Sequence, residues 1–287
     1  MLSHNNRTIS DHRIYNQEVV LMNWGFENRM SKLFKPDGHC FYLAMDHGYF
    51  LGATHSLENV GKTFEPLAPY CDAVFVPRGS LRNTVPPTTD VPIILRVSGG
   101  QSIASDDLTN EEWTVSIDEI LRLNASAVGY SVYLGSQHEH QTLMGLNKLV
   151  DACAPYGIPV MAVTAVGREL AQKKETRFLT MACRVCAEAG ADVVKTYYCE
   201  NFEEVVEGCP VPVVIAGGPK TDSQLEVLEF VYDGMQRGSA GVNLGRNIWQ
   251  DACPTGMARA LQTVIHEEAT PKDAYDIYLS MKSKAKA

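Results

Sequence analysis

Eight short apolar runs, separated by stretches of helical periodicity, constrain the fold of this chain more than any other feature. They occupy residues 41–45, 73–76, 93–97, 127–132, 159–163, 192–195, 211–215 and 240–244. Most are continuously apolar rather than alternating, which is the pattern of strands buried on both faces of a parallel sheet. Residues 57–67, 117–123, 145–154, 178–189 and 224–237 carry the spacing of amphipathic helices. Tyr156-Gly157, Ala189-Gly190 and Arg237-Gly238 place a glycine stop just before the next strand. Eight strand–helix units in about 250 residues match the size of an α/β TIM (β/α)8 barrel. A doubly wound open sheet would want a G-x-G-x-x-G turn after its first strand, and none follows residue 45. No linker divides the chain. The expected organisation is an N-terminal extension over 1–40, with Leu33 and Phe34 plugging the barrel, then the barrel over 41–270. A C-terminal helix covering 258–267 belongs to that barrel, and a final helix and tail occupy 271–287.

Composition narrows the function classes. A net charge of −9 argues against a nucleic-acid binder, which shows a basic stripe. The one short basic run, from Lys282 to Lys286, reads as a frayed tail. His4, Arg7, Asp11, His12 and Arg13 interrupt the first residues, so no signal peptide is expected. No run reaches the roughly 18 apolar residues of a membrane span. A cytoplasmic location is expected, with the eight cysteines as buried thiols. Cys183-Arg184-Val185-Cys186 spells C-x-x-C, but it sits inside a helical pattern with no second pair at metal spacing.

Active groups of such a barrel come from the C-terminal ends of its strands. In order, those ends carry Asp46-His47-Gly48, Arg78-Gly79, Arg96, Tyr133, Thr164, Lys195, Gly217-Gly218 and Gly245-Arg246-Asn247. Lys195 follows Val193 and Val194, and burial disfavours its ammonium form. An amine made neutral in that way attacks carbonyl carbon and forms a Schiff base. The glycines after strands seven and eight let backbone N–H groups approach an anion, and Arg246 adds charge, at the usual phosphate position of this fold. His138-Glu139-His140 could ligate zinc, yet a catalytic zinc needs a third protein ligand that the sequence does not nominate. The expectation is a metal-free lysine route, with His140 ordering a loop.

The chain resembles the class I, Schiff-base aldolases of the archaeal fructose-bisphosphate aldolase type, and within them the thiolase branch. The motifs that carry the resemblance span nearly the whole chain. They include Asn23-Trp24-Gly25, Met45-Asp46-His47-Gly48-Tyr49-Phe50, Val132-Tyr133-Leu134-Gly135-Ser136, Val194-Lys195-Thr196-Tyr197-Tyr198, Val214-Ile215-Ala216-Gly217-Gly218 and Gly245-Arg246-Asn247-Ile248. One departure is Ala216, where the fructose-bisphosphate branch often has serine and the thiolase branch alanine. The resemblance implies Lys195 as the Schiff-base lysine, Tyr133 as the acid/base group with its phenol facing the amine, and Asp46 as the strand-one carboxylate. It implies Gly217, Gly218, Gly245 and Arg246 as phosphate groups, joined by His47 and Arg96 in holding the substrate. It further implies a small phosphorylated substrate, no metal, no bound cofactor, and a homo-oligomer, since members of the family form decamers.

Two reactions share that half-reaction. Thiolytic cleavage of a phosphorylated diketone takes coenzyme A as co-substrate and yields dihydroxyacetone phosphate and acetyl-CoA. Aldol cleavage or transaldolase chemistry releases an aldehyde instead. A non-catalytic sugar-phosphate-binding barrel would keep the glycine loops without needing Lys195 beside Tyr133.

Overall fold

The structure, a computed structural model, describes residues 24–165 and 175–285 of the 287-residue chain. The expectations for residues 1–23 and for the last two residues of the tail lie outside the described residues. Eight strands form the barrel: β1 (Cys40–Ala44), β2 (Ala73–Pro77), β3 (Ile93–Arg96), β4 (Ala127–Val132), β5 (Val160–Thr164), β6 (Val193–Tyr197), β7 (Val213–Ala216) and β8 (Gly241–Leu244). They close in the order β1-β8-β7-β6-β5-β4-β3-β2, with every neighbouring pair parallel. Gly157, Gly190 and Gly238 all adopt positive φ, as stops before β5, β6 and β8 require.

Period-two alternation sorts the strand residues into two apolar populations. Phe41, Leu43, Val74, Val76, Val128, Val194, Ile215 and Val242 face outward into a shell shared with the helices. Cys40, Tyr42, Ala73, Phe75, Ile94, Ala127, Met161, Val193 and Val214 pack inside the barrel. Leu33 and Phe34, at the end of helix α1 (Trp24–Leu33), join that inner set, and Phe34 meets Tyr42 edge-on at 6.1 Å. Gly129 has a packing reason: a Cβ there would collide with the Phe75 ring that fills the middle of the barrel.

The same parity aims the polar residues. Arg96 follows Ile94, and Lys195 follows Val193, so both side chains continue the inward row at the C-terminal mouth. Asn243 is likewise inward on β8.

Two features differ from the sequence expectation. Between β3 and β4 the chain leaves the barrel and returns through a two-stranded antiparallel pair, Ser98–Gly99 with Glu112–Trp113. In addition, the basic run at the C-terminus is helical as far as Lys284. Lys282 and Lys284 lie in the last turn of helix Pro271–Lys284, where cations complement the helix dipole. Lys282 Nζ also sits 5.2 Å above the Tyr278 ring.

Candidate active site

Lys195 is 8% exposed, and its Nζ lies 5.3 Å above the face of Phe75. Among the described residues no carboxylate comes within ion-pair distance of that nitrogen. Burial pulls its pKa from 10.5 down to about 8; Asp46 opposes the shift, while Arg96 and Arg246 reinforce it. Burial and two nearby cations therefore maintain a usable fraction of neutral amine at physiological pH.

One pocket contains Lys195 together with His47, Gly217, Gly218, Gly245 and Arg246. Gly218 adopts φ +64°, and a Cβ at Gly245 would lie 2.5 Å from the Ala44 carbonyl oxygen. Both turns thus depend on glycine, which leaves backbone bare at the rim. Arg246 Nη2 donates to the Gly218 carbonyl at 2.9 Å, so the two loops are tied together. Asn247 reinforces the tie by donating to the carbonyls of Gly217 and Pro219. Arg246 Nε is buried with no hydrogen-bond partner among the described residues. A bare loop and an incompletely paired guanidinium form an anion cradle. His47 stands on this wall with its ring edge-on to Trp249 at 5.4 Å. Burial lowers its pKa to about 4 against the pull of Asp46, so it is a neutral imidazole at pH 7.

Arg96 sits at the centre of a buried polar network. The resemblance implies that it holds substrate, but all three of its guanidinium nitrogens are already engaged within the protein. Nη1 donates to Asp46 Oδ2 at 3.1 Å, and Nε donates to the Ser98 carbonyl at 3.1 Å. Nη2 reaches Glu111 Oε2 at 2.8 Å and Ser131 Oγ at 2.7 Å, and also contacts the Tyr49 hydroxyl. A guanidinium so occupied holds other side chains in place. Asp46 is buried between this cluster and the pocket wall, one oxygen on Arg96 and the other 3.7 Å from His47 Nδ1.

Glu111 is the central residue that sequence reading missed. It is completely buried and arrives on the return arm of the excursion between β3 and β4. Its carboxylate accepts from Tyr49, Tyr133 and Gln101 on Oε1, and from Arg96 and Ser98 on Oε2. Tyr133 directly follows β4, as expected, but its phenol hydrogen is directed to Glu111 Oε1 at 2.8 Å. Burial, followed by the Glu111 charge, holds the Tyr133 pKa well above the usual tyrosine value.

The remaining sequence candidates sit elsewhere. His138 Nε2 lies 3.0 Å from Asp107 Oδ2 and links two surface loops, while His140 is exposed. Among the described residues no group of three or more His, Cys, Asp or Glu side chains could hold a metal ion. Cys183 and Cys186 lie on helix Thr176–Glu188, fully buried in the outer core, and burial raises the Cys186 thiol to about 12. No described helix is long and apolar enough to cross a membrane.

The chain is similar to proteins already known. Residues 40–251 match the DeoC/LacD family aldolase model. The chain is 43% identical over 263 residues to the 3-hydroxy-5-phosphonooxypentane-2,4-dione thiolase of Photorhabdus laumondii, a match covering 91% of this chain and 89% of that one. The Escherichia coli K12 thiolase of the same name is 44% identical over the same shares. Among solved structures, an archaeal fructose 1,6-bisphosphate aldolase superposes with a TM-score of 0.76 at 26% identity, covering 84% of this chain and 99% of that one. Another, with a TM-score of 0.74, 26% identity and the same coverage, is an archaeal fructose-1,6-bisphosphate aldolase with its catalytic Lys covalently bound to the carbinolamine intermediate of the substrate. The family match spans most of the barrel and the high-identity relatives span nearly the whole chain; this protein belongs to the DeoC/LacD family of aldolases.

Proposed function

We propose that this enzyme forms a Schiff base through Lys195 and uses it to cleave 3-hydroxy-5-phosphonooxypentane-2,4-dione with coenzyme A, giving dihydroxyacetone phosphate and acetyl-CoA. One observation carries the reading: a lysine with a pKa of about 8 shares a pocket with two glycine loops and Arg246, in a chain 43–44% identical to thiolases of that name.

The phosphate binds the loops of Gly217, Gly218, Gly245 and Arg246, and this remote grip sets the adjacent ketone at C4 over Lys195. The neutral amine adds to C4, and loss of water gives an iminium. Coenzyme A thiolate adds to the C2 carbonyl. The C2–C3 bond then breaks, its electron pair passing through C3 into the iminium to leave an enamine, and acetyl-CoA departs. Protonation at C3 and hydrolysis release dihydroxyacetone phosphate and restore the lysine. Tyr133 moves protons at the carbinolamine stage, held in place by Glu111. Arg96 holds Asp46, which stands beside His47. The iminium is the electron sink, so the proposed reaction takes coenzyme A as a co-substrate and needs no bound cofactor.

The likeness to archaeal fructose-bisphosphate aldolases supports a second reading, aldol cleavage from the same enamine. Product analysis separates the two. Enzyme with the phosphorylated diketone and coenzyme A should form acetyl-CoA and dihydroxyacetone phosphate in equal amounts. Turnover of fructose 1,6-bisphosphate without coenzyme A, and none of the diketone with it, would favour the aldolase.

A further inference from the structure

Asn243 is a polar side chain in a place that the barrel would otherwise fill with carbon. It is 1% exposed and lies on the inward face of β8. Its strand neighbours in register are Tyr42 on β1 and Ala216 on β7. Its Nδ2 comes no closer than 3.8 Å to Met161 Sδ, a weak acceptor, and its Oδ1 has no partner among the described residues. Whichever way the amide is turned, one polar end faces a thioether and the other is buried without a partner among the described residues. A leucine of similar volume would fit this apolar layer without leaving a polar group unpaired. Asn243 also lines the same pocket as Lys195, Gly245 and Arg246.

Position says which part of a ligand it meets. Asn243 lies two residues before Gly245 on the same face of the strand, so its Cα is roughly 6.6 Å deeper than the phosphate rim. In a 3-hydroxy-5-phosphonooxy-4-ketone, four bonds run from the ester oxygen through C5, C4 and C3 to the C3 hydroxyl oxygen, a comparable length. A phosphate at Gly245 and a C4 carbon on Lys195 therefore direct that hydroxyl toward the Asn243 amide. Two other polar groups of the site already hold partners: Thr164 Oγ1 bonds Thr196 at 2.7 Å, and Asp46 Oδ2 receives Arg96.

We propose that Asn243 recognises the substrate hydroxyl on the carbon next to the Schiff-base carbon, on the side away from the phosphate. This rests on the Schiff-base reading of Lys195. It makes Asn243 the residue that separates α-hydroxylated ketone phosphates from their deoxy counterparts. A site built to pair with a hydroxyl rejects an analogue lacking it, because the buried amide is then left unpaired.

The test compares borohydride trapping of dihydroxyacetone phosphate with that of its deoxy analogue, 1-phosphonooxypropan-2-one, in wild type and in Asn243→Leu. Inorganic phosphate competition reports the rim separately. The wild type should favour the hydroxylated ketone at least tenfold in the concentration giving half-maximal adduct. In Asn243→Leu that ratio should fall to near one, with deoxy trapping and phosphate competition unchanged. If the leucine variant does not fold, Asn243→Ser is assayed in the same way, with partial loss of the ratio expected. A wild type that does not discriminate, or a folded variant that keeps the wild-type ratio, would overturn the proposal while leaving the Lys195 reading intact. Absence of any adduct in the wild type would overturn both.

Discussion

The Tyr133 phenol donates its hydrogen to Glu111 Oε1 at 2.8 Å, joining the end of β4 to a carboxylate that reaches it from outside the strand framework. The bond fixes the orientation of the tyrosine ring beside Glu111. Glu111 also receives Arg96, Ser98, Tyr49 and Gln101. A carboxylate with that many donors is rigidly placed, so it serves to orient Tyr133 and to pair with Arg96.

Glu111→Gln should therefore impair proton transfer rather than substrate binding. The new amide N–H₂ faces Arg96 and Ser98, or else Tyr133 and Tyr49, and either orientation loses a charge-assisted bond worth about 1.5–3 kcal/mol of stability. Tyr133→Phe should lower kcat by about 10²–10⁴-fold. Glu111→Gln should lower kcat in the same sense, and both variants should keep KM for the phosphorylated substrate nearly unchanged. Steady-state kinetics with a urea unfolding curve for each variant checks this. Wild-type turnover in Tyr133→Phe would remove the tyrosine from the mechanism and make Tyr197 the next candidate.

Arg246→Ala should weaken binding and spare chemistry. The lost charge-assisted contact is worth about 1.5–3 kcal/mol, or roughly 10–150-fold in affinity. Calorimetric titration with dihydroxyacetone phosphate measures it. Wild-type affinity in this variant would move the phosphate away from the β7 and β8 loops.

The pH dependence follows from Lys195. Its amine titrates at about 8, so the rate of adduct formation should rise about tenfold per pH unit below that value and level off above it. Stability moves in the same direction. Between about 8 and 10.5 the unfolded state holds more protons on this lysine than the folded state does, so stability rises with pH across that window. Below pH 8 the full cost of burying the ammonium remains. The fall from 10.5 to about 8 sets its ceiling at roughly 3 kcal/mol. Lys195→Met should thus be more stable than wild type at pH 7, by less at pH 9.5. Denaturation curves at the two pH values test this, and a variant less stable than wild type at pH 7 would contradict it.

Much of this arrangement is legible in the sequence because parity along a buried strand carries it. Val193 inward requires Lys195 inward, and the glycines after β7 and β8 are turn signals that the interior of a strand would not carry. Residue type alone fails where partners decide the role. Arg96 and Arg246 both stand at strand ends and look alike in one dimension; only the fold shows that Arg96 pairs with two carboxylates while Arg246 bonds a backbone carbonyl of the next loop. Glu111 stands between Asn110 and Glu112 in a stretch with no apolar period, and only the return of the chain alongside Ser98–Gly99 makes it central. Asn243 is visible as the one polar residue in Val242-Asn243-Leu244, but its unpaired amide oxygen is a property of the closed barrel.

Covalent trapping on the lysine tests the central claim most directly. The wild-type enzyme is incubated with dihydroxyacetone phosphate and borohydride, digested, and mapped by mass spectrometry, with Lys195→Ala treated in parallel. The expected result is a reduced adduct on the peptide containing Lys195, absent from the variant, with adduct yield rising through pH 8. An adduct on another lysine, or one that persists undiminished in Lys195→Ala, would contradict the assignment of Lys195 as the Schiff-base residue.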